Sequence, residues 1–131
     1  MRTAADRIAA TIAIIFSVLS FIEGMQVALK ISIPDYIVFT PLLVYNILMS
    51  VVGVLGGIQI FRRNKNAIRY SVVITLSHIS TLASISFLYL FDSYISMHSL
   101  TAMIIRSSIW LIITITLLVN YRNNHEQKEK I

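Results

Sequence analysis

Residues 36–61 read YIVFTPLLVYNILMSVVGVLGGIQIF, twenty-six consecutive positions without a formal charge. As an α-helix this stretch would be roughly 39 Å long at about 1.5 Å per residue, enough to cross a hydrocarbon core of about 30 Å with some tilt. A helix is the form such a segment must take in lipid, because each backbone N–H and C=O has to find its partner within the segment. Three further apolar runs, 8–29, 70–91 and 100–121, have similar lengths. Composition agrees with this reading: 56% of the residues are hydrophobic and 13% charged, where soluble domains carry about a quarter. The mean hydropathy is +0.78. The expected fold is therefore all-α, a polytopic membrane protein with four transmembrane helices in an up-down-up-down bundle. These fill residues 1–121, and a short, polar, frayed cytoplasmic tail follows at 122–131.

Short loops rich in Lys and Arg stay on the cytoplasmic side. Arg2 and Arg7 precede the first run, Arg62, Arg63, Lys65 and Arg69 separate the second from the third, and Arg122, Lys128 and Lys130 follow the fourth. Lys30 alone lies in the opposite connections, 30–35 and 92–99. Nine against one predicts both termini inside. The net charge of +5 is thus a topology signal with some attraction to anionic headgroups, and nucleic acid is not an expected partner. The first apolar run exceeds the roughly 7–15 residues of a signal-peptide core and is read as a retained helix. Loops of six to eight residues leave no room for a soluble domain. Pro34 falls in the first outer loop, and Pro41 in the second turn of the second run, where its missing N–H costs least.

Two charges break the apolar runs. Glu23 lies six residues before the outer end of the first run and Arg106 six residues after the outer end of the fourth, so both sit about 9 Å below the outer surface. An isolated charge at that depth costs a few kcal/mol, and a partner at the same depth offsets it. The two are expected to pair, with Ser20 and Gln26 beside Glu23 and Trp110 one turn below Arg106 in reach of a cation–π contact. Tyr45 and Asn46 would form the floor of an outer-side polar pocket, above His78, which lies about 12 Å from the inner end of its helix. The alternative reading is a pair that only fixes helix register.

Ser50, Gly53 and Gly57 recur at helical spacing, and a G-x-x-x-G of this kind lets a second backbone approach closely, here against a neighbouring helix of the same chain or another copy. On the third run Ser77, Ser80, Thr81 and Ser84 share about 100° of arc beside His78; such hydroxyls bond back to the preceding turn or across to another helix. Intramembrane haem ligation requires two histidines at one depth. With His98 at the outer end and His125 in the tail, no haem held within this chain is expected. No cofactor or metal site is expected, since the chain has no cysteine and no His-rich or carboxylate cluster at useful spacing. No nucleophile–base set or phosphate loop suggests an enzyme.

Arg7 at the mouth of the first run, Gly24 near its outer end, and the stretch from Gly53 to Arg63 that closes the second run in basic residues together resemble, in topology, the small DoxX-like four-helix membrane proteins. The resemblance covers most of the chain without a diagnostic catalytic motif. It implies a non-catalytic or accessory subunit of a larger membrane complex. Such a subunit would associate with other membrane subunits or with itself and bind a lipid or quinone in the outer-side pocket. An acidic residue in the first of four helices is also similar to small multidrug transporters, which implies a proton-coupled carrier using Glu23 and Arg106; Glu23 is displaced outward from the place that comparison requires. The expected location is a prokaryotic cytoplasmic (inner) membrane.

Overall fold

The computed structural model describes residues 4–91 and 94–131. Arg2 and the loop positions 92 and 93 lie outside the described residues. The chain forms four helices, α1 (Ala4–Ala28), α2 (Thr40–Phe61), α3 (Ala67–Phe91) and α4 (Met97–Glu129). Each is long and apolar enough to cross a membrane.

Capping, rather than hydropathy, sets the helix ends. Helix α2 begins four residues inside its apolar run, because Pro41 occupies its first turn and Phe39 before it is extended (φ −84°, ψ 101°). Proline is well placed there, since its fixed φ suits a helix start and its missing N–H is not needed. Helix α4 starts earlier than its apolar run, where the Ser96 hydroxyl accepts the Ser99 N–H at 3.1 Å. It also continues through most of the segment expected to fray. No Gly or Pro interrupts residues 122–129. Arg122 pairs with Glu126 at 3.2 Å and the Tyr121 hydroxyl bonds the His125 ring at 3.0 Å, both the i,i+4 contacts that support an exposed helix. Helices α1 and α2 end at left-handed residues, Lys30 (φ 57°) and Arg63 (φ 59°). After the second of these, the Asn64 N–H turns back to the Gln59 carbonyl at 3.0 Å, the closure more often made with glycine.

Packing is heaviest between α1 and α2, next between α3 and α4, and lighter along α1–α4 and α2–α3. Small residues explain the first contact. A methyl group added at Gly57 would come within 2.6 Å of Ile14 and 3.4 Å of the Ala10 carbonyl, and one added at Gly53 would collide with the Ser17 hydroxyl. The Ser50–Gly53–Gly57 face is therefore turned inward, onto the Ala10, Ala13 and Ser17 side of α1, all of them buried. Gly56 faces α3 instead, at Ile74.

Burial is inverted relative to a water-soluble bundle. Ser17, Ser50, Ser71, Thr75, His78 and Thr114 are buried, whereas Ile8, Ile15, Leu48, Leu55, Val73, Leu76 and Ile112 are exposed. Only 28–33% of the residues of each span are buried inside the protein. Such a surface is stable against an apolar solvent and would be an extreme aggregation hazard in water. Two apolar clusters remain inside. The larger gathers Ala10, Ile60, Ala67, Trp110 and Leu117, and the smaller gathers Leu42, Ile85, Ile95 and Met103.

Candidate functional site

The end of α1 meets the start of α4 where the two intramembrane charges lie. Arg106 Nη2 is 3.9 Å from Glu23 Oε2, at the long edge of an ion pair. The partners are unequally covered: the Arg106 side chain is 13% exposed and the Glu23 side chain 62%. Arg106 Nε is buried and makes no hydrogen bond, as is Oδ1 of Asn46 on α2. The guanidinium thus holds more donor capacity than its one carboxylate uses.

Three spaces adjoin Arg106. A cleft toward the loop end is lined by Glu23, Tyr36, Asn46, His98 and Arg106. There the Tyr36 and His98 rings stack with centroids 4.2 Å apart and planes 19° from parallel. Burial, followed by the nearby Glu23 charge, pushes the Tyr36 hydroxyl above its ordinary pKa, so it remains a neutral donor. Deeper, between Ser17, Ser20, Asn46, Ser50, His78 and Trp110, is a cavity of about 10 Å³, space for about one water. The third space opens sideways between α1 and α4 past Phe16, Ser20, Thr101 and Ile105.

Each residue singled out from the sequence has a definite place. His78 is 3% exposed, and its Nδ1 lies 3.5 Å from the Tyr45 hydroxyl, the rings edge-on with centroids 5.9 Å apart. Trp110 lines the cavity with Arg106, and its ring extends over Gly53 and Gly56 of α2. Asn46 contributes its backbone carbonyl to the Ser50 hydroxyl at 2.6 Å. Ser77 and Ser84 bond back to the carbonyls of Val73 and Ser80 at 2.9 Å, and Ser80 and Ser84 are exposed. Thus Ser77, Ser80 and Ser84 lie apart from the polar interior, whereas Thr81 of the same arc hydrogen-bonds Tyr45.

The buried polar face of α3 is instead Ser71, Thr75 and His78. Thr75 bonds the Trp110 carbonyl at 3.0 Å and the Thr114 hydroxyl at 2.7 Å, and Ser71 also meets Thr114. Sequence reading missed this α3–α4 cluster and also Asp6, which is 4% exposed and accepts a hydrogen bond from Asn120 at 2.7 Å. Spacing at i, i+4 and i+7 was the available signal for Ser71, Thr75 and His78; for Asp6 it was an acid in the first turn of a helix, beside the positive end of the dipole. Among the described residues no three His, Asp or Glu side chains come together as a metal group.

Comparison with protein-family models, curated proteins and solved structures yields no match.

Proposed function

We propose that this chain is an up-down-up-down membrane protein with both termini in the cytoplasm, multi-pass in a prokaryotic inner membrane. In this reading it acts as a non-catalytic accessory subunit of a larger complex and holds a lipid or quinone in the outer-side polar pocket. The carrying observation is the asymmetric pair: a largely buried guanidinium with an unused donor, and a carboxylate 3.9 Å away that remains 62% exposed. A pair serving helix register alone would be expected to use both partners fully, since incomplete pairing in low dielectric is costly. The broad apolar exterior supports the accessory role, since it offers contact surface to other membrane subunits or to a second copy.

The carrier reading draws on polar groups at both ends of the bundle, Glu23 and Arg106 at one and Asp6 with Asn120 at the other. Between them Ala10, Ile60, Ala67 and Leu117 belong to one buried apolar cluster, which favours a pocket over a path. Purification in mild detergent with identification of co-purifying proteins and small molecules tests the proposal. A stoichiometric membrane partner is the expected result. A chain that purifies alone, together with substrate-dependent proton flux in proteoliposomes, would favour the carrier.

A further inference from the structure

The seam between α1 and α4 changes character along its length. At the loop end it presents Glu23, Ser20, Thr101 and Arg106. One turn further on it becomes a trough lined by Ile8, Ala9, Ile12, Ile109, Ile112 and Thr116. Phe16 to Ile12 on α1 and Ile105 to Ile109 on α4 are each one helical turn, so the polar end and the trough are consecutive parts of one groove. From Arg106 to Thr116 the groove runs ten residues, roughly 15 Å. That is about half of a hydrocarbon core of about 30 Å, the depth of one leaflet.

We propose that this groove holds one phospholipid with a zwitterionic head bearing a primary ammonium. The ammonium lies on Glu23, the phosphate or ester oxygens lie on Arg106, and one acyl chain fills the trough. Charge complementarity selects this head. The Arg106 side chain keeps 13% exposure and spends one Nη2 contact on Glu23, so its remaining donors call for an oxygen acceptor. Glu23 is open enough to take a second cation. A purely anionic head would satisfy Arg106 but face the Glu23 carboxylate, and an uncharged quinone would leave that carboxylate half-paired in a low-dielectric setting. A head with one charge of each sign meets both. The inference rests on the membrane placement proposed above and is independent of the accessory role.

The test is native mass spectrometry of the full chain, purified in mild detergent and equilibrated with mixed micelles of dioleoyl phosphatidylethanolamine and dioleoyl phosphatidylglycerol in equal amounts, with ubiquinone added in a parallel arm. One retained lipid per chain is expected, with the ethanolamine lipid preferred by about fivefold, equivalent to about 1 kcal/mol. Glu23→Gln should abolish that preference while lipid is still retained. Ile112→Trp, at a position 64% exposed and so tolerant of a larger side chain, should lower retention without changing the preference. Retained lipid that mirrors the micelle composition, no retained lipid, preference for phosphatidylglycerol, or displacement by ubiquinone would each overturn the proposal. Because the isolated chain is read directly, failure to find a partner subunit leaves this result intact, and failure of lipid selectivity leaves the partner question intact.

Discussion

Helix α1 makes two seams, one with α2 and one with α4, and they are built on different principles. Against α2 it sets Ala10, Ala13 and Ser17 opposite Gly53 and Gly57, where even one added methyl group would collide with Ser17 or Ile14. Against α4 it sets isoleucines and a partly covered ion pair, with open space between the helices. In lipid, apolar side chains gain little by leaving acyl chains for each other, so close backbone approach decides which helices associate. The first seam has that approach and holds the bundle together. The second forgoes it and leaves open space, which under the proposal above receives the lipid. In that reading stability and ligand chemistry fall on opposite sides of one helix.

The sharpest way to break this contrast is to enlarge the tight seam. Gly53→Leu should cost about 3 kcal/mol, the upper part of the overpacking range, read as a large drop in thermal midpoint in detergent. Ile112→Ala on the loose seam should change that midpoint little, because Ile112 is 64% exposed. Equal losses at the two positions would erase the distinction. Next in size is Asp6→Leu, which removes the buried acceptor that Asn120 uses at 2.7 Å and should cost about 1–3 kcal/mol. Thermal unfolding of that variant measures how firmly the N-terminal end of α1 is tied to α4.

A smaller effect is expected at the ion pair. Glu23→Gln, Arg106→Leu and their combination form a double-mutant cycle on thermal stability. A coupling of about 0.5–1 kcal/mol is expected, at the low end of the range for residues in contact, because the separation is 3.9 Å and Glu23 is largely exposed. Strict additivity would show that the two charges act separately. An effect of similar size and opposite sign is expected from Lys30→Gly, which should raise stability by up to about 1 kcal/mol, since glycine adopts the left-handed φ of 57° without the steric cost a side chain brings. That gain should be the same in variants of either seam, because the α1 terminus lies outside both.

The four helices were legible because a run of more than twenty apolar residues has few alternatives, and the Glu23–Arg106 contact because matched depth follows from counting along two such runs. Helix ends were less legible: Pro41 delays α2, and the Ser96 cap advances α4, both local effects invisible to hydropathy. The continuation of α4 to Glu129 depends on i,i+4 pairs in a segment that composition alone marks as tail. On α3, Ser77 and Ser84 satisfy their hydroxyls on their own helix, one of the two outcomes expected of such residues, and the interior is left to Ser71, Thr75 and His78. Composition cannot separate these, because a serine that bonds back is as compatible with lipid as one that bonds across. The looseness of the α1–α4 seam was not readable at all, as it depends on how two neighbouring pairs of helices dock.

Everything said of the ligand depends on the polar end of that seam facing the outer side. The chain has no cysteine, so single cysteines introduced by Ser32→Cys, near the Glu23 end, and Asn66→Cys, at the opposite end, can be read without background. Both positions are exposed. A membrane-impermeant maleimide applied to intact cells should label Ser32→Cys and spare Asn66→Cys until the membrane is opened. Labelling of Asn66→Cys alone, or of both from outside, would contradict the account.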